Sequence, residues 1–391
     1  MTDAFVYDHV RTPRGRGKPD GSLHEITPIQ LGTQVLAALR HRNELDTALV
    51  DDVVFGCVAP IGEQGSDIAR VAALNADYAQ SVAGQQLNRF CASGLEAVNN
   101  AAAQVMSGQS DAVIGGGVES MSRVPFMADN ADYYRDAAFP PRTRYVPVAL
   151  AADRLAEDER IGRDALDAAA LRSQQRAAAA ERSEALQRSR IAIRAADGTI
   201  ALAHDECVRA GTTAEALAAM PPAFAELADT WREALGRRID HRHTVAHAPP
   251  ITDGAGLTLV AREARGGTRP RARILAYAEA GGDPQAGLLA GFTAMDRVLA
   301  RAKLTLGDID RIEFMEAFAV TIAKFLRDRD VDPARVNVAG GHLAKGHPMG
   351  ASGAILVSSL LDVLDAADAR TGLVVASGAS GIGAALVVER G

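Results

Sequence analysis

Asn88–Gly117 reads NRFCASGLEAVNNAAAQVMSGQSDAVIGGG. Leu95, Val98, Ala102 and Val105 recur at helical spacing and Gly108 is a natural stop, so a helix is predicted over 92–107. Asp111–Gly117 then reads as a buried strand that ends in glycines. The same unit returns near the other end of the chain. Gly346–Ser377, GHPMGASGAILVSSLLDVLDAADARTGLVVAS, predicts a helix over 349–364 and a strand over 371–377. A matching strand lies upstream of each, at Val50–Phe55 (VDDVVF) and Asp308–Phe314 (DIDRIEF), and the interval from Val53 to Cys91 equals that from Ile312 to Gly350. Three features in the same order predict a duplicated βαβ-type domain.

Around these anchors the first part alternates strand and helix, with strands over 4–8 and 50–58 and helices over 28–40 and 65–74. Between the halves, about 119–248, the composition shifts to Ala, Arg and Glu. Helices are predicted there at Arg163–Ala180 and Thr213–Leu235, without alternation. This reads as an inserted lid and a natural seat for substrate specificity.

A chain of 391 residues is long enough for two or three domains. Aromatics make up 4% against 48% hydrophobic residues, so the core is expected to pack through Ala, Val, Leu and Ile. A net charge of −7 with scattered basic residues argues against nucleic acid as a partner. The N-terminus, MTDAFVYDHVRTPRGRG, carries no signal-peptide stretch, and no run of about 18 apolar residues predicts membrane insertion. Cys57, Cys91 and Cys207 are far apart and odd in number, which fits neither a disulfide framework nor a zinc site; a reducing cytoplasm is expected.

The chemistry lies at Cys91 and His347, each at the mouth of a predicted helix. A helix N-terminus favours thiolate over thiol, and a Cys with a distant His is the usual requirement for acyl transfer through a thioester. Alone, Cys91 would read as an inert buried thiol and His347 as a residue of a capping loop. Both together in glycine-rich frames point to catalysis.

These blocks resemble the thiolase family, the acetyl-CoA C-acyltransferases, along essentially the whole chain. The resemblance rests on Asn88–Val98, Gly115–Ser122 (GGGVESMS), Ala170–Gln175 (ALRSQQ), Glu316–Ala319 (EAFA) and Val336–Gly341 (VNVAGG) running into Gly346–Gly353. It looks closest to the branch that degrades 3-ketoacyl-CoA in fatty-acid oxidation. It implies an α/β thiolase fold of duplicated βαβαβαββ halves in a five-layered α-β-α-β-α sandwich. The N-terminal half would be 1–118 with 249–270, the inserted loop domain 119–248, and the C-terminal half 271–391. It implies that Cys91 accepts the acyl group and that His347 activates it. The N–H groups of Cys91 and Ala379 would form an oxyanion hole. Val148, Pro249 and Phe318 would contact the substrate, an acyl-CoA. No cofactor and no metal are implied. A homodimer or homotetramer is usual, and a hydratase–dehydrogenase subunit is a partner of such proteins.

Four places depart from the family pattern. Most thiolases carry a second cysteine where this chain has Ser377, and a serine hydroxyl is far too weak an acid to replace a thiol of pKa about 8.5. Met315 stands before Glu316-Ala-Phe-Ala where the family has Asn or His, and offers no hydrogen bond of useful strength. His247-Ala-Pro249-Pro250 replaces an Asn-Ser-Ser-Gly-like loop that touches the pantetheine of CoA. Pro147-Val-Ala-Leu150 likewise replaces a more polar segment. The acyl-loading half is thus kept and the carbon–carbon half altered. The expectation is an acyl-Cys91 enzyme poor at thiolysis or Claisen condensation. The alternatives are acyl transfer to a nucleophile that is not a carbanion, a base supplied by Lys345 or His342, or a non-catalytic acyl-CoA-binding subunit.

Other signals are weaker. The glycine loops Gly115–Gly117 and Gly378–Gly383 lack dinucleotide or P-loop spacing, and Ser380 lacks a hydrolase elbow frame. His241, His243 and His247 have metal-like spacing. Arg135–Arg144 would suit either CoA phosphates or a solvated surface.

Overall fold

The computed structural model describes residues 2–135, 138–262 and 269–391. The first half runs β1 (Ala4–Arg11), α1 (Pro28–Arg42), β2 (Asp52–Gly56), α2 (Ile68–Asn75), β3 (Ala83–Leu87), α3 (Ser93–Ser107), β4 (Ala112–Ser120) and, after the inserted region, β5 (Thr252–Ala261). The inserted region contributes α4 (Val148–Asp158) and α5 (Arg163–Ala180). The second half runs β6 (Ala272–Gly281), α6 (Ala290–Ala302), β7 (Arg311–Phe314), α7 (Ala319–Asp328), α8 (Met349–Ala366), β8 (Thr371–Gly378) and β9 (Ile382–Arg390).

The sheet order exposes the duplication. The first half is ordered β1-β5-β4-β2-β3 and the second β6-β9-β8-β7. In each, the first two pairings are antiparallel and the next is parallel. Where β3 lies parallel beside β2, a single parallel bridge of Val336 to Ile312 takes its place beside β7. The predicted βαβαβαββ halves are therefore present, the second with its third strand reduced to one bridge. The two halves also share hydrogen bonds: β1 pairs with β6 over Ala4–Val6, so the sheet is continuous across them.

α1 and α2 cover one outer face. α6 and α7 cover the other, where Phe325 of α7 stacks on Phe314 of β7 with ring centroids 4.4 Å apart. α3 and α8 lie between the halves. Here the expectation of no membrane-length apolar segment needs correcting. Met349–Ala366 is long and apolar enough to cross a membrane by composition, but 89% of it is buried inside the protein. Packed on every side, it needs no polar face.

Thr27 caps α1 reciprocally with Gln30, and Pro28 starts it. The predicted helix over 213–235 breaks into Ala214–Ala218, Ala225–Thr230 and Arg232–Leu235. Pro221 and Pro222 interrupt it, since proline lacks the N–H a continuing helix needs. The junction expected near 270 falls next to residues 263–268, outside the described residues.

Glycines set how closely the central helices meet. A Cβ at Gly94 would lie 2.6 Å from the Gly350 carbonyl oxygen, one at Gly117 2.3 Å from the same oxygen, and one at Gly353 2.2 Å from the Leu95 nitrogen. A side chain at Gly94 or Gly353 would push α3 and α8 apart, and one at Gly117 would push α8 away from β4. The N-termini of α3 and α8 therefore abut, and the residues just before them face a common space.

Candidate active site

Cys91 sits on a tight turn just before α3. Phe90 adopts φ 48°, a left-handed conformation that a bulky residue takes only under constraint. The constraint is visible. Asn88 Oδ1 accepts from the Phe90 N–H at 2.8 Å, Ser93 Oγ accepts from the Arg89 N–H at 2.8 Å, and the Ser93 hydroxyl donates to the Phe90 carbonyl at 2.5 Å.

His347 sits on the corresponding turn before α8. Its N–H donates to the Pro250 carbonyl at 2.8 Å. The preceding Gly346 has φ 98°, and its carbonyl accepts from Arg14 Nη1 at 3.0 Å. The His347 Nδ1 lies 2.6 Å from Ser352 Oγ, while its buried Nε2 has no partner. Glu119, from the GGGVESMS block, ties the two frames together. Its carboxylate accepts from the N–H groups of Val58 at 2.8 Å, Ala59 at 3.2 Å and Gly350 at 2.8 Å, and from Gln64 Nε2 at 2.8 Å. The sequence marks this glutamate as part of a motif, but no local pattern reveals its task.

Cys91, His347, Ser377 and Ala379 line one cavity of about 230 Å³ together with Val148, Pro249 and Phe318. Its remaining walls are almost wholly apolar, and among the described residues no Lys or Arg reaches it. The N–H groups of Ala379 and of Cys91 itself face the sulfur. Two expected site positions stand apart. Met315 is buried in the core with its N–H on the Val375 carbonyl at 2.9 Å. Glu316 accepts from Ser173 Oγ at 2.8 Å, Asn337 Nδ2 at 3.0 Å and the Leu343 N–H at 3.0 Å. Neither lines the cavity.

The electrostatics correct one expectation. Burial pushes the Cys91 thiol up to about 12, with Glu119 adding to the rise, and the two N–H groups only partly offset this. The helix start therefore does not make a resting thiolate. Burial also holds His347 down to about 3, helped by the Arg14 charge, so its imidazole is neutral. A neutral thiol faces a cavity that also holds a neutral base. With His347 replaced by Gln, alkylation of Cys91 by iodoacetamide should accordingly rise about tenfold per pH unit from pH about 7 to 10, following the thiolate fraction. A rate already level below pH about 8 would show a preformed thiolate.

The other candidates are accounted for. His241 and His243 turn their Nδ1 atoms to Asp153 at 2.9 and 2.7 Å, and His247 Nε2 lies 2.7 Å from Asp167. They are carboxylate pairs at the base of the lid. Among the described residues, no group of three or more His, Cys, Asp or Glu forms a metal-binding set. Lys345 and His342 are buried and do not line the cavity, although the His342 ring lies 5.1 Å from that of His347. Arg135 bonds Asn130 Oδ1 and Arg144 bonds the Phe139 carbonyl. Both border an aromatic cluster rather than the Cys91 cavity, and residues 136–137 of that stretch lie outside the described residues.

The thiolase N-terminal domain matches residues 4–264 and the thiolase C-terminal domain residues 268–390. The chain is 36% identical to the 3-oxoadipyl-CoA/3-oxo-5,6-dehydrosuberyl-CoA thiolase of Escherichia coli K12, over 100% of both chains. It is 36% identical to a beta-ketoadipyl-CoA thiolase of Pseudomonas aeruginosa, over 99% of both, and 35% identical to a 3-ketoacyl-CoA thiolase of Shewanella denitrificans, over 100% of both. With both halves matched and its relatives covered from end to end, the chain belongs to the thiolase family and is an acyltransferase that acts on acyl-CoA.

Proposed function

We propose that Cys91 carries the acyl group and that His347 is its general base. The observation that supports this is the convergence of the thiol, an unpartnered imidazole nitrogen and the Ala379 N–H on one enclosed apolar cavity. As the sulfur attacks the thioester carbonyl, His347 Nε2 takes the thiol proton. The N–H groups of Cys91 and Ala379 receive the developing oxyanion. The carbon–sulfur bond to CoA then breaks, and the imidazolium returns the proton to the departing thiolate. Because neither partner is charged beforehand, the proton moves only as the bond forms.

The cavity also suggests the acyl class. Val58, Met121 and Met349 form an apolar cluster against Cys91, with Phe90 and Phe126 at its edge. An ω-carboxylate would find no cation among the described residues there, and burying an unpaired charge is costly. An apolar acyl chain fits better than the dicarboxylic chains in the names of two relatives. A second cavity of about 420 Å³ shares Ala248 and Ile251 with the first and presents Arg16, Lys18 and Arg209. It suits the phosphates of CoA better than Arg135–Arg144.

A second reading concerns the step after loading. Among the described residues lining the cavity, Cys91 and His347 are the only ones with a side chain able to exchange a proton as acid or base, and Ser377 adds none. This favours an enzyme that loads well and makes or breaks carbon–carbon bonds poorly.

Incubation with apolar acyl-CoAs should give one acyl increment on Cys91 by mass spectrometry, absent in Cys91→Ala. No adduct with any acyl-CoA would remove the proposal. Equal loading by adipyl-CoA and hexanoyl-CoA would remove only the apolar preference.

A further inference from the structure

The Ala379 N–H comes from the short loop between β8 and β9. Within it Ser380 adopts φ 60° and ψ 26°, left-handed territory that disfavours a side chain. Gly381, at φ 71°, is suited to such a conformation, and a Cβ there would meet the Gly282 carbonyl at 2.6 Å. Ser380 has no such freedom, so its conformation must be held from outside. Tyr133, from the inserted lid, places its hydroxyl 2.7 Å from Ser380 Oγ.

Tyr133 is itself firmly seated. Its ring meets Tyr145 edge-on with centroids 5.7 Å apart and Phe139 at 5.9 Å, and Tyr145 meets Trp231 at 5.4 Å. Tyr134, Tyr145 and Ala379 belong to one apolar cluster, with Phe90 against it. The lid thus packs on the turn before Cys91 and on the loop that carries Ala379.

We propose that Tyr133 is a positioning residue for acyl transfer: its hydroxyl pins Ser380 in the left-handed conformation that aims the Ala379 N–H at the sulfur of Cys91. This rests on the Cys91 acyl-transfer reading. An oxyanion donor works only if it is fixed before charge develops. A loop free to leave the left-handed region would swing that N–H away. The clamp therefore acts on the rate of the chemical step and not on acyl-CoA binding. It also makes the donor depend on a seated lid.

The test is a mutant cycle read by rapid-quench mass spectrometry of Cys91 across a range of acetyl-CoA concentrations. Tyr133→Phe keeps the ring contacts and removes the hydroxyl. It should lower the saturating acylation rate roughly tenfold and leave the half-saturating concentration within about twofold. Ser380→Ala should do the same. The double variant should be no slower than either, because one hydrogen bond is lost only once. Adding Ser380→Gly to Tyr133→Phe should recover most of the rate, since glycine holds the conformation unaided. An unchanged saturating rate in Tyr133→Phe would overturn the proposal. So would losses that multiply in the double variant, a change in half-saturation alone, or no recovery with glycine. If the unaltered protein forms no adduct, the acyl-transfer reading falls and this proposal with it.

Discussion

Replacing His347 with Gln should slow acylation of Cys91 by about 10³-fold, within the range that general base catalysis contributes. Binding of acyl-CoA should change little, because the cavity walls that hold the substrate are apolar and come from other elements. Glutamine keeps polarity and approximate size but cannot take a proton from a thiol. The pH dependence separates this role from a structural one. The imidazole is held neutral down to about pH 3 and the thiol stays protonated up to about 12, so the unaltered enzyme should acylate at a nearly constant rate between pH about 5 and 9. The Gln variant should instead speed up about tenfold per pH unit, because only thiolate already present can react. A variant that keeps most of its rate, or the same flat profile, would show that the proton leaves by another route.

Why the imidazole is available explains what the sequence can and cannot disclose. The echo of Asn88–Gly117 in Gly346–Ser377 was legible because helix and strand periods are local properties of the chain. The glycine frames were legible as frames. Their effect, that Gly94 and Gly353 let α3 and α8 abut while Gly117 lets β4 approach α8, requires both halves at once. Long-range partners left no local mark. Arg14 reaches the Gly346 carbonyl and Glu119 the Gly350 N–H, and no spacing rule links those positions. The sign of the thiol shift was hidden for a related reason. A helix N-terminus can be seen in sequence, but the apolar enclosure that outweighs it is assembled from Val58, Met121, Phe126 and Met349. Met315 shows the opposite limit. Its place beside Glu316 suggested a site position, and the fold buries it in the core.

Ser377→Cys should raise thiolysis of a 3-ketoacyl-CoA, or the reverse condensation, by about 10²–10⁴-fold, the usual worth of a placed acid–base group. Acylation of Cys91 should change far less. Cleavage of a 3-ketoacyl-CoA leaves an enolate of acetyl-CoA that needs a proton, and condensation needs the same proton removed. Ser377 lines the cavity with Cys91 at the end of β8, so the position is right and the chemistry is missing. The side chain points at the start of α6: a Cβ on Gly291, in the first turn, would lie 2.3 Å from Ser377 Oγ. Glycine there leaves room for the larger sulfur, and the positive end of a 13-residue helix offsets part of the burial penalty on a thiolate forming at 377 during the reaction. A serine hydroxyl in the same field remains far from ionising. The comparison with the unaltered protein decides the matter. Rapid turnover of 3-ketoacyl-CoA by the serine form would mean that another group already moves this proton. A cysteine form that loads normally yet gains nothing would place the deficit elsewhere than at residue 377.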